Sequence, residues 1–173
     1  MKHLFTIDLK NYNPNGKKFY RPSVRGIILD DKGNIAMIYS KKYHFYKFPG
    51  GGIEKNETHI EALEREIKEE TGMKLIPESV KEFGEVLKIQ NGDDVGKNII
   101  HFQENYYYTC RVEDEIGEQE LDEDEKKLDF VLKFVPIKEA LTANAEFESE
   151  DAFKKQMAER ERRVLELLKN AQL

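Results

Sequence analysis

Apolar and polar positions alternate over residues 4–9, which predicts a half-buried strand. The turn signal Asn13-Pro14-Asn15-Gly16 comes next, so a hairpin is expected to open the chain. Two short apolar runs, residues 24–29 and 35–39, flank Asp30-Asp31-Lys32-Gly33-Asn34 and predict a second hairpin with a polar turn. An aromatic stretch at 43–48 stops at Pro49-Gly50-Gly51-Gly52. Residues 58–71 form the clearest helix: Thr58 and Glu61 make a capping box, and Gly72 stands where a left-handed cap is needed. Strands are expected at 83–89 and 99–112, on either side of Asn91-Gly92-Asp93-Asp94, and again at 130–135. The acidic stretch 113–127 reads as a solvated loop, and Pro136 opens a short helix through Leu141. Over 149–169 a charged helix carries one apolar stripe of Phe153, Met157, Val164, Leu165 and Leu168. Short strands, turns and few helices predict an α/β domain with a mixed sheet packed between helices. Residues 1–145 are expected to form it, with an N-terminal strand extension. Residues 146–173 are expected as a C-terminal helix packed on the domain or on a partner subunit, which makes a homodimer one expectation.

Composition narrows the class. With 173 residues and 39% hydrophobic side chains the chain closes a core without disulfides. The single cysteine, Cys110, sits in a strand-like run and reads as a small buried group. The net charge of −6, from 28 Lys and Arg against 34 Asp and Glu, argues against general nucleic-acid binding. No nucleic-acid partner is therefore expected, and a phosphate substrate would need metal and local cations. The first ten residues carry no signal-peptide pattern and no stretch reaches membrane-spanning length, so a cytoplasmic location is expected.

The candidate chemistry lies on the central helix. Glu66, Glu69 and Glu70 are spaced i, i+3 and i+4, within an arc of roughly 100° at about 100° per residue. Ile60, Leu63 and Ile67 fall on an adjoining arc that can anchor the helix to a sheet. Crowded carboxylates repel and raise one another's pKa, and a divalent cation removes that penalty. Oxygen ligands favour Mg²⁺ or Mn²⁺ over Zn²⁺. Gly50, Gly51 and Gly52 let backbone approach a ligand closely. Arg65 can grip a carboxylate with two parallel bonds, and Glu57 is well placed at a helix start. A Glu-rich helix alone is most often a solvated face; the glycine turn, the fixed gaps and the Arg-Glu pair together outweigh that reading.

Residues 51–73 resemble the Nudix box at each defining position: Gly51, Glu57, Arg65, Glu66, Ile67, Glu69, Glu70, Gly72 and Met73. The resemblance implies an α/β/α sandwich with a mixed sheet, and hydrolysis of a nucleoside diphosphate linked to another moiety. It implies that Glu66, Glu69, Glu70 and the carbonyl of Gly50 bind the metal, that Arg65 orients the glutamates, and that Glu69 assists water activation. Glu104, or Glu123 in the acidic stretch 122–125, stands as a further base or ligand. For the substrate, Arg25 is singled out because an arginine inside an apolar strand needs a partner, Phe48 as a stacking ring, and Gly51 as close-approach backbone. The family's subgroup markers are missing: Lys88, Ile89 and Gln90 stand where a proline marks ADP-ribose hydrolases. A nucleoside triphosphate, oxidised or not, and a nucleotide sugar both stay open. Two other classes are a nucleotide sensor that does not cut, and a diphosphate isomerase, which needs a catalytic cysteine.

Overall fold

The computed structural model describes residues 1–92 and 96–171. Asp93 and Asp94 of the expected turn, and Gln172 and Leu173 of the C-terminal segment, lie outside the described residues. The chain runs β1 (His3–Asp8), β2 (Lys17–Tyr20), β3 (Ser23–Ile27), β4 (Ile35–Ser40), β5 (Tyr46–Lys47), α1 (His59–Thr71), β6 (Met73–Asn91), β7 (Ile99–Ile116), α2 (Glu123–Lys127), β8 (Phe130–Val135), α3 (Ile137–Glu146) and α4 (Ala152–Ala171).

The long strands β6 and β7 pair antiparallel and form the spine of a mixed sheet. β1 runs parallel to β6 on one edge. β2 and β3 both run parallel to β7, against successive stretches of it. A second sheet joins β5, β4 and β8 antiparallel.

Both expected N-terminal hairpins are corrected by this pairing. The turn at Asn13 forms, with Gly16 N–H donating to the Asn13 carbonyl at 2.9 Å, yet β1 and β2 lie on opposite sides of the β6–β7 pair. The Asp30 turn also forms, with the Asp30 carboxylate accepting from the Lys32 and Asn34 amides. Only the isolated bridge Leu29–Ile35 follows, because β3 belongs to one sheet and β4 to the other. The acidic stretch is more ordered than a solvated loop: β7 continues to Ile116, and α2 opens with a capping box of Asp122 and Glu125.

Alternation along the strands builds two cores. Val24 and Ile28 of the β3 region face Ala62, Leu63 and Ile67 of α1. Ile27, Met37, Phe48 and Tyr107 point the other way and pack on Val164, Leu165 and Leu168 of α4. Sheet between helices is the α/β/α arrangement expected from the sequence. α1 is fixed by its capping box, Thr58 with Glu61, and by Gly72 at φ 71°. Cys110 is buried in the α1-side core, and burial pushes its thiol up to about 12.

Candidate active site

The turn 49–53 is fastened to β3 from outside. Val24 N–H donates to the Gly51 carbonyl at 2.9 Å, Gly26 N–H to Pro49 at 2.8 Å, and Ile53 N–H to Pro22 at 3.0 Å. The Gly50 carbonyl takes no part in that pairing. Gly50 sits at φ 136°, and a Cβ there would meet the Val24 carbonyl oxygen at 2.1 Å. Only glycine satisfies both constraints. A Cβ on Gly51 would stand 2.4 Å from Glu66 Oε2, so the bare backbone is what lets the Glu66 carboxylate lie against the turn.

Arg65 is the hub of the site. Its Nε and Nη2 donate to Glu57 at 2.8 and 2.9 Å, its Nη1 to Glu66 at 2.7 Å and to Glu69 at 3.2 Å, and Nη2 also to the Gly52 carbonyl at 3.0 Å. The hydrogen bonds to Arg65 hold the Glu57 carboxyl below the usual carboxylate range. Glu57, Glu66, Glu69 and the glycine turn are thus tied to one guanidinium.

Glu70 departs from the expected convergence. It is turned inward at 1% exposure, where the Gly50 amide donates to it at 2.7 Å and the Lys47 ammonium donates to its other oxygen. An inward carboxylate needs such partners, and a cation and an amide lie on that side of the helix. Burial raises Glu70 to about 8, against the opposing pull of Lys47. Glu125 of α2 meets it there: burial works against the Glu125 anion, but hydrogen bonding with Glu70 and the charge of Lys47 outweigh it and hold Glu125 low. Glu69 faces the opening, and partial burial raises its pKa.

Arg21, Gly52, Ile53, Glu54, Arg65, Glu66, Glu69, Glu120, Asp122 and Glu125 line one polar cleft, of about 380 Å³. Several sequence expectations are corrected by its lining. Arg25 does not reach it: the residue is 7% exposed, and its charge lies among Arg160, Glu161 and Tyr107 under α4. Its Nε and Nη1 find no hydrogen-bond partner among the described residues. Burial, then the Arg160 guanidinium, pull it below the ordinary arginine value. Phe48 is a core ring, 0% exposed and edge-on to Tyr107, so no base can stack on it. Glu104 lies outside the cleft, next to the Tyr106 hydroxyl on β7. Glu123 points into solvent and pairs with Lys126 at 2.9 Å; Glu125, two residues on, takes the inward position. Arg21 was not singled out by the sequence. It is exposed, with its guanidinium 3.7 Å from where a Gly52 Cβ would be. The one signal was its place before Pro22, which has no N–H to give to a sheet and so marks the gap between two strands.

The donor chemistry of the cleft suits a hard divalent cation, because it is built from carboxylate oxygens whose charges crowd one another. No three His, Cys, Asp or Glu side chains among the described residues form a ready cage. Arg65 and Lys47 hold the glutamates in the arrangement seen.

A family model described as the NUDIX domain matches residues 19–159. The RNA pyrophosphohydrolase of a Nitratiruptor species is 34% identical over 137 residues, covering 71% of this chain and 82% of that protein. The RNA pyrophosphohydrolase of Halorhodospira halophila is 41% identical over 54 residues, 31% of this chain and 30% of that relative. The chain thus spans most of the first relative's length and less than a third of the second's. A solved NUDIX hydrolase from Nitrosomonas europaea superposes with a TM-score of 0.54 at 16% identity, over 82% of this chain and 89% of that one, which shows a shared fold.

Proposed function

The chain belongs to the NUDIX family and is a hydrolase of pyrophosphate bonds, and from that premise we propose that it removes pyrophosphate from a nucleoside 5′-triphosphate end, free or at the head of an RNA. The observation that carries this reading is the Arg65 hub, which ties Glu66, Glu69 and the glycine turn to one guanidinium in an open acidic cleft. The names of the sequence relatives, RNA pyrophosphohydrolases, support an RNA and a pyrophosphate bond as the substrate class.

Glu66 and Glu69, with the Gly50 carbonyl, are the groups we assign to hold Mg²⁺ or Mn²⁺, and the inward Glu70 of the sequence expectation is left out of that set because both its oxygens are already engaged. Such an ion, when bound, supplies charge for the phosphate oxygens and lowers the pKa of water. The protein's own groups do the rest. Arg65 keeps two carboxylates in place, which substitutes fixed geometry for a search among rotamers. Glu69 faces the opening with its pKa raised by partial burial, and we assign it the proton of the attacking water. Arg21 stands at the mouth with no side-chain partner among the described residues, ready to meet a phosphate oxygen. Lys47 and the Gly50 amide hold Glu70 at the back wall.

The test is a panel of nucleoside triphosphates, oxidised ones, 5′-triphosphorylated RNA and nucleotide sugars, with Mg²⁺ and with Mn²⁺, analysed for pyrophosphate. Release from a triphosphate end supports the reading. Cleavage of nucleotide sugars alone would replace the substrate, and binding without any product would make the chain a sensor.

A further inference from the structure

Tyr20 and Phe19 are adjacent on β2 and stand 53% and 39% exposed, although both are large apolar rings. All of β2 is exposed. Tyr20 pairs in register with Phe102 of β7. The two rings stack at 5.0 Å between centroids and 24° between planes. Lys18, two residues earlier and so on the same face, holds its ammonium 5.5 Å from the Phe102 ring centre. Lys17, Lys18 and Arg21 place three cations, with no acid between them, in five residues of a chain whose net charge is −6.

The strand that carries this stripe leads to the cleft. Arg21 follows Tyr20 in sequence and lines the mouth beside Gly52, Glu66 and Glu69. One strand residue rises about 3.3 Å, close to the roughly 3.4 Å between stacked bases of one strand. Along the backbone, Tyr20 is therefore about one nucleotide step from the residue that lines the mouth. A flat aromatic face with flanking cations is what single-stranded nucleic acid uses: bases stack on the rings while phosphates meet the lysines. A free nucleoside triphosphate would leave the platform empty.

We propose that the Tyr20–Phe102 pair, with Lys18 and Arg21, is a stacking platform for the nucleotides that follow a 5′-triphosphate, so that the substrate is the end of a single-stranded RNA. This rests on the pyrophosphohydrolase reading above.

The test uses the full chain and Tyr20→Ala and Tyr20→Phe variants. One arm compares kcat/KM for a 5′-triphosphorylated trinucleotide with that for the matching nucleoside triphosphate. The wild type favours the trinucleotide, Tyr20→Ala lowers that preference roughly tenfold, and Tyr20→Phe keeps it. The other arm measures anisotropy of a 3′-labelled, 5′-monophosphorylated trinucleotide without metal, where Tyr20→Ala weakens binding by the same factor. Equal preference and equal binding in all three proteins would overturn the platform while leaving hydrolysis intact. No cleavage by the wild type would overturn the hydrolase reading, and the anisotropy arm would still judge the platform.

Discussion

Arg65 and Glu57 meet face to face through two parallel hydrogen bonds, Nε to Oε1 at 2.8 Å and Nη2 to Oε2 at 2.9 Å. The fork leaves Nη1 aimed along the helix at Glu66. A lysine offers one compact charge in place of this planar set of donors. Arg65→Lys is therefore expected to lower kcat at least tenfold while the protein stays folded. The hub is about a quarter exposed, so solvent screening keeps the stability loss to about 1 kcal/mol. Steady-state kinetics beside a urea melt would check both halves. Wild-type kinetics would remove Arg65 from its orienting role.

Gly51→Ala tests the contact between turn and helix. The added methyl would stand 2.4 Å from Glu66 Oε2, so the carboxylate must move. A displacement on the order of 1 Å at a catalytic group can cost about a hundredfold in rate. Overpacking is expected to cost about 1–3 kcal/mol of stability. A crystal structure of the variant should show Glu66 rotated away from Arg65; an unmoved carboxylate with full activity contradicts the assignment.

α4 contributes charge as well as apolar surface. Glu161, 0% exposed, accepts from the Tyr107 hydroxyl at 2.8 Å and from Arg160, with the Arg25 charge close by. Glu161→Gln would leave two buried guanidiniums without their anion. Breaking a buried pair from one side costs about 3–5 kcal/mol, and the urea midpoint is expected to fall accordingly. A shift under about 1 kcal/mol would mean that water already compensates these arginines.

Burial raises the Cys110 thiol to about 12, so the folded protein holds it neutral through about pH 7–9. The nucleophile is the thiolate. Iodoacetamide at about pH 8 should therefore label the urea-unfolded chain and spare the native one. Rapid native labelling would show an open, ionised thiol and would revive the isomerase reading.

The sequence was most informative where local chemistry decides structure. Thr58, Glu61 and Gly72 set the ends of α1 through hydrogen bonds within a few residues, and both caps stand in the structure. The glycine turn and Arg65 were legible for the same reason. Pairing across distance was not: a turn at Asn13 or Asp30 reports a reversal, not whether the flanking strands join each other or a remote partner. Helical spacing gave Glu70 its angle but not its depth, and Lys47 was what drew it inward. Glu123 and Glu125 differ by two positions on a five-residue helix, and only the packing of that helix says which one faces the cleft. Whole-chain charge hid the local cations of β2, because a sum discards position.

The most direct measurement is pyrophosphate release from 5′-triphosphorylated RNA by the wild type and by Glu69→Gln, each with Mg²⁺ and again after chelation. The wild type should release pyrophosphate with Mg²⁺ and stop after chelation, while Glu69→Gln falls by about two to four orders of magnitude with an unchanged melt. Equal rates in the two proteins, or release that continues without any divalent ion, would contradict the account.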